Sequence, residues 1–288
     1  MGVNIQWFPG HMAKAIRQFE ENVHLVDIIF ELIDARAPFS SMNPEVARIG
    51  VDKPHLLILT KADLADPNLT KQWIDYFDHH GYTAIAVDSK QNGANKLVTQ
   101  TALNILKPKL TAEQAKGMKP RPIKAICVGV PNVGKSTLLN RLVKKRAAQV
   151  GNRPGVTKGQ QWLRSSKQLE LLDTPGILWP KFQNQAIANK LALTGAIKDN
   201  LYASDDIALF ALDYFRTHRS KELMARYHLS DADLELSTVD LLLQITKKIG
   251  MKDDYDRASV RIIQDARKNK LGRFTLDSMD LIKNDEDN

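Results

Sequence analysis

The sequence predicts an α/β domain with a mostly parallel sheet, followed by a small all-helical C-terminal domain, and three observations carry this. Short apolar runs of buried-strand length alternate with helix-like segments over the first 180 residues or so. A glycine-rich phosphate-loop pattern sits between one such run and the next helix. After Trp179-Pro180 the strand signals stop and only helical periodicity remains.

The strand runs are 27–33, 55–59, 83–87, 123–128 and 169–172, and the helix-like segments between them are 12–22, 69–79, 95–106 and 135–143. Residues 107–122, with three prolines and several lysines, read as a connector, and 152–159 as an exposed loop. Beyond Pro180, Ser204-Asp205-Asp206 can cap a helix through about His218, with Ile207, Phe210, Ala211, Tyr214 and Phe215 as its apolar stripe. Ser237-Thr238 can cap a second helix ending at Gly250. A third, from about Asp254 to Lys270, carries Arg257, Arg261 and Lys268 on one face. The expected division is 1–180 and 181–288, and 284–288 reads as a frayed acidic tail.

The chain of 288 residues is 43% hydrophobic, enough for a substantial core and against wholesale disorder. Its formal net charge of +8 fits a polyanionic partner such as nucleic acid. A single cysteine, Cys127, forbids an internal disulfide and reads as a small core residue. No uncharged apolar stretch of about 18 residues is present, so no membrane span is expected. The N-terminal residues lack the basic start and apolar core of a signal peptide, and Gln6 stands where a myristoylation motif wants Ser or Thr. The expectation is a cytoplasmic monomer.

Gly129-Val130-Pro131-Asn132-Val133-Gly134-Lys135-Ser136 matches the phosphate loop at every fixed position. Its glycines let backbone N–H groups converge on an anion at a helix N-terminus. Asn132, Val133, Gly134, Lys135, Ser136 and Thr137 are the expected phosphate-side residues; Lys135 would neutralise the β and γ phosphates and Ser136 would ligate Mg²⁺. Leu171-Leu172-Asp173-Thr174-Pro175-Gly176 ends a strand with Asp-x-x-Gly, so Asp173 would hold Mg²⁺ through water and the Gly176 N–H would reach the γ-phosphate. Between them Thr157 is placed to bind Mg²⁺ only while a γ-phosphate is present. Ile177 follows Gly176 and cannot orient an attacking water.

Reading guanine needs a carboxylate that accepts two N–H groups of the base edge, a pair adenine does not offer. Thr60-Lys61-Ala62-Asp63 is a near match to Asn-Lys-x-Asp at a strand end, with Asp63 on the base edge and the Lys61 stem on its face; Thr60 replaces the usual asparagine. Asp88-Ser89 resembles the second base-contact loop, at the end of the next strand. Both lie before the phosphate loop, an order that resembles the circularly permuted GTPases.

The start Trp7-Phe8-Pro9-Gly10-His11-Met12-Ala13-Lys14 and the element Asp34-Ala35-Arg36-Ala37-Pro38 closely resemble the ribosome biogenesis GTPase A family. The resemblance is most specific over residues 7–180 and implies a permuted GTPase domain with a helical C-terminal domain. It further implies GTP/GDP and Mg²⁺ as ligands and a role in late assembly of the bacterial large (50S) ribosomal subunit, with rRNA and ribosomal proteins as partners. His11 is a candidate to position water, beside Lys135 and Gly176 as catalytic residues. Asn132 resembles positions that hold K⁺ in related GTPases. Candidate RNA contacts are Arg257, Arg261 and Lys268, and the run Lys144-Lys145-Arg146. The alternatives are a GTPase of tRNA modification, for which no catalytic cysteine or cofactor site is evident, and a small-molecule kinase, for which no acceptor pocket or lid is evident.

Overall fold

The computed structural model describes residues 9–88, 93–143, 161–178 and 184–280, with backbone alone at 9–11 and 161. Six strands, β1 (Ile28–Asp34), β2 (His55–Thr60), β3 (Thr83–Val87), β4 (Ile123–Gly129), β5 (Gln161–Arg164) and β6 (Leu169–Asp173), form one sheet in the order β3-β2-β1-β4-β6-β5. All neighbours are parallel except β5, which runs antiparallel to β6 at the edge. β1 lies at the centre, and every one of its residues is buried. That is why its sequence is a nearly unbroken apolar run and not an alternating one.

The helices are α1 (Pro9–Asn22), α2 (Pro44–Ile49), α3 (Pro67–His79), α4 (Ala94–Ala115), α5 (Lys135–Val143), α6 (Gln185–Thr194), α7 (Ser204–His218), α8 (Ser220–Tyr227), α9 (Asp231–Leu234), α10 (Thr238–Lys248) and α11 (Tyr255–Arg267). Odd-numbered β1 residues face α1 to α3: Ile29 packs with Ala15, Phe19 and Val46, and Ile33 with Trp73 and Phe77. Even-numbered ones face the opposite layer, where Ile28, Phe30 and Leu32 join Val98 of α4 and Leu138 of α5.

Two sequence expectations need correction, and one strand has no counterpart among them. Residues 107–122 are not simply a connector, because α4 runs through Pro108 to Ala115. Leu106 and Leu110 on that turn pack against the core, and this burial outweighs the hydrogen bond lost at proline. β5 was not legible: it has four residues, and Trp162 is exposed while Leu163 is buried, so no apolar run marks it. Helix α7 does begin at Ser204, but its N-cap residue is Ala203. Ser237 and Asp254 cap α10 and α11 as their side-chain chemistry suggests, accepting from Asp240 N and Arg257 N.

The helical part shares its core with the sheet. Leu191, Ala208, Phe215, Ile262 and Phe274 belong to the same continuous apolar cluster as Ile28 and Leu32. After α11 the chain returns to the sheet layer. Phe274 N donates to Leu64 O (3.2 Å) and Leu276 N to Arg36 O (2.7 Å). The buried Asp277 carboxylate then accepts from Ser40 N (2.8 Å), Ser40 Oγ (2.7 Å) and Lys190 Nζ (2.8 Å). Arg219 adds an ion pair to Asp66, the N-cap of α3, at 2.5 Å.

Asp277→Ala should therefore cost about 3–5 kcal/mol, because it leaves the buried Lys190 ammonium without its counter-charge. Urea unfolding measures this, and a loss below about 1 kcal/mol would show that the returning segment contributes little.

Candidate nucleotide site

The carboxyl ends of β1, β2, β4 and β6 face one crevice, and each delivers one of the motifs. In open parallel sheets this edge is where ligands bind. β4 ends at Gly129 and α5 starts at Lys135, so the loop between them is set by the strand–helix turn. Asn132 (φ 57°) and Gly134 (φ 106°) take left-handed conformations within it, which turns successive N–H groups into a concave anion nest. Gly129 is required by contact, since a Cβ there would stand 2.5 Å from Leu32 O.

The Asp-x-x-Gly segment lies directly against this loop. Ile177 N donates to Gly129 O at 2.9 Å, and a Cβ on Gly176 would come within 2.9 Å of Pro131 Cα. The buried Lys135 ammonium donates to Asp173 Oδ1 and Thr174 O. Thr174 Oγ1 donates to Cys127 O at 2.7 Å, which fixes the turn. Asp173 is fully buried, and its Oδ2 has no hydrogen-bond partner. A buried carboxylate oxygen without a partner suits a hard oxygen-seeking cation. Among the described residues there is no cluster of three or more His, Cys, Asp or Glu that could hold a metal by themselves. Mg²⁺ bound chiefly through phosphate and water needs none.

At the end of β2, Thr60 is buried and its hydroxyl lies within hydrogen-bond reach of two carbonyls, Ile33 O (3.0 Å) and Val133 O (2.5 Å). This contact ties the end of β2 to the phosphate loop. Lys61 follows with φ 57°, and its ammonium donates to Asp34 Oδ2 at 2.9 Å. Asp63 and Asp88 sit half-buried at the ends of β2 and β3.

The role of Asp34 and Arg36 was missed from sequence. Arg36 grips Asp34 with both Nε (2.9 Å) and Nη2 (2.7 Å) and reaches Thr194 O at 2.9 Å. Burial alone would raise the Asp34 carboxyl, but Arg36 and Lys61 outweigh it and hold that carboxyl well below the usual carboxylate range. Burial pulls the Lys61 ammonium down to about 8 against the opposing pull of Asp34. The element Asp34-Ala35-Arg36-Ala37-Pro38 carried the family resemblance, but nothing in the run of residues shows that Asp34 meets Lys61.

Other candidates fall elsewhere. Ile177 turns away into the core with Ala15 and Phe19, so it faces α1 and not the crevice. The sulfur of Met12 lies 3.4 Å from Leu178 N, which brings the start of α1 beside the Asp-x-x-Gly segment. The side chain of His11, and Ser89, Thr157 and the run 144–146, lie outside the described residues. Arg257 and Arg261 are exposed on α11 and Lys268 is exposed just past its end, and Arg261 is paired with Asp265 at 3.2 Å. Asn132 Nδ2 donates to Gly195 O at 3.3 Å. Cys127 is buried in β4, and burial pushes its thiol up, as a core residue requires. No described helix is long and apolar enough to cross a membrane.

Known proteins resemble this chain in sequence and in fold. The family model described as 50S ribosome-binding GTPase matches residues 124–270. The chain is 45% identical to ribosome biogenesis GTPase A of Priestia megaterium, covering 96% of this chain and 97% of that one. It is 46% identical to the protein of that name from Bacillus cereus, covering 95% and 94%. The crystal structure of GNP-bound YlqF from T. maritima superposes with a TM-score of 0.62 at 25% identity, covering 92% and 97%. β2 and β3, which end in the candidate base-contact residues, precede the phosphate-loop strand along the chain, and the GTPase core is circularly permuted. With its guanine-nucleotide-binding core and these relatives, this GTP hydrolase belongs to the ribosome biogenesis GTPase A family.

Proposed function

We propose that this GTPase acts in late maturation of the bacterial large ribosomal subunit, in the cytoplasm, with hydrolysis coupled to binding or release of the precursor. The observation that carries the reading is the 45% identity over 96% of the chain to a ribosome biogenesis GTPase A. The meeting point of the helical part with the nucleotide motifs supports it. The last turn of α6 offers Thr194 O to Arg36 and Gly195 O to Asn132, so both halves of the crevice touch the same helix end. A nucleotide-dependent shift of either half then has a direct route to the helices.

In this reading residues 1–180 form the GTPase domain, and 181–288 a helical, ribosome-facing domain with Arg257, Arg261 and Lys268 on its outer surface. Thr60, Lys61, Ala62, Asp63, Asp88 and Ser89 hold the base. The loop from Asn132 to Thr137 cradles the phosphates, with Lys135 on their charge and the Gly176 N–H on the γ-phosphate. Ser136, Asp173 and Thr157 would hold Mg²⁺, which supplies charge neutralisation at the β and γ phosphates. Since Ile177 is in the core, water must be positioned from another segment, and His11 at the head of α1 is the candidate. Asn132 is the candidate ligand for K⁺.

Co-sedimentation with large ribosomal subunits tests the proposal, with GTP analogue, GDP or no nucleotide, alongside GTP turnover. The expected result is analogue-dependent binding with turnover raised by the subunit. His11→Ala should abolish that stimulation, and exchanging K⁺ for Na⁺ should lower the turnover. Equal weak binding in every state, relieved by salt, would mean charge attraction alone and would remove the ribosomal assignment.

A further inference from the structure

A cluster of buried charge lies beside Lys61, at the carboxyl end of β1. Asp34, at the end of β1, is 3% exposed and Arg36 is 2% exposed. Asp34 Oδ2 accepts from Arg36 Nη2 (2.7 Å) and Lys61 Nζ (2.9 Å), while Oδ1 accepts from Arg36 Nε (2.9 Å) and from Arg36 N (3.1 Å). Arg36 is itself held on its far side by Thr194 O and lies 5.8 Å from the Phe274 ring. Two cations and one carboxylate in a core add little net stability, because desolvation offsets most of their attraction. What such a cluster does supply is fixed geometry, since the fork of Arg36 admits one orientation of the carboxylate.

We propose that Asp34 and Arg36 are positioning residues of the guanine site: Asp34 holds Lys61 by its ammonium, and Arg36 locks Asp34 to the C-terminal end of α6. This rests on the reading of Lys61 and Asp63 as the base-contacting pair. Lys61 has a left-handed backbone and a long flexible stem, so without a fixed ammonium its stem samples many rotamers. Tethered at 2.9 Å to a clamped carboxylate, the stem is pre-ordered as one wall for the base. In this reading Lys61 touches the base and not the phosphates, so loss of its tether to Asp34 weakens GDP and GTP by the same factor.

The test is equilibrium binding of GDP and GTP to the full chain. Asp34→Asn should weaken both equally, by about 10- to 100-fold. Asp34→Glu keeps the charge, and so the fold, but displaces the ammonium by a methylene; it should still weaken both nucleotides, by a smaller common factor. In a Lys61→Met background Asp34→Asn should add less than about threefold, because the two residues act through one contact.

Affinities of the folded Asp34→Glu protein within twofold of the parent would overturn the proposal. So would a loss confined to GTP, or fully multiplicative effects of Asp34→Asn and Lys61→Met. Asp63→Asn in the same assay reports on base reading itself. An unchanged preference there for GDP over XDP would remove that reading and this proposal with it. A switch to XDP combined with unaffected Asp34 variants would overturn the role of Asp34 alone.

Discussion

Lys135→Ala should lower GTP turnover at saturating nucleotide by about 10²- to 10³-fold, the usual cost of removing one pre-placed charge from a developing transition state. Lys135 is the first residue of α5, 6% exposed, and its ammonium reaches Asp173 Oδ1 and Thr174 O at the floor of the crevice. A cation held there would meet the bridging and terminal phosphate oxygens of a bound nucleotide as negative charge builds on them. Lys135→Arg should fail to restore turnover, because the planar guanidinium needs width that a buried ammonium does not. Phosphate release measures the effect, with thermal unfolding alongside, since Asp173 also loses its partner. Turnover within tenfold of the parent in a folded Lys135→Ala protein would remove Lys135 from the catalytic set.

The second large effect is a change of base. Asp63→Asn should cost at least about 10²-fold in GDP affinity and make XDP the better ligand, since sites built on paired hydrogen bonds discriminate strongly. Guanine offers two donors, N1–H and the exocyclic amine, which a carboxylate accepts together. Asparagine offers one acceptor and one donor, which match the N1–H and C2 carbonyl of xanthine. Competition of GDP and XDP for a fluorescent nucleotide measures the switch. A variant that weakens both nucleotides equally would assign Asp63 to loop structure, and one that keeps its preference for GDP would move base reading elsewhere.

Much of the fold was legible because it is written locally. The runs at 27–33, 55–59, 83–87, 123–128 and 169–172 correspond within one or two residues to β1, β2, β3, β4 and β6. A strand buried on both faces needs a continuous apolar stretch, and that is visible in any window of its length. β5 escaped because an edge strand needs only one buried side chain in two, and four residues are too few to show it. Helix α4 overran the expected connector because packing of Leu106 and Leu110 decided its end, and not the proline rule. Ile177 cannot orient water by its chemistry, and its burial against α1 adds that it does not face the crevice at all.

The sequence by itself determined the phosphate loop, the Asp-x-x-Gly segment, the near match at Thr60 to Asp63 and their permuted order. Each is a run of adjacent residues whose chemistry depends on spacing along the chain. Tertiary structure alone decided what surrounds them. Lys61 meets Asp34 across 27 positions, Asn132 meets Gly195 across 63, Arg36 meets Thr194 across 158, and Ser40 meets Asp277 across 237. Pairings of that kind have no period and no motif. They exist because buried charges must find partners once the chain has closed, and the partner is whichever residue the packing brings within hydrogen-bond reach.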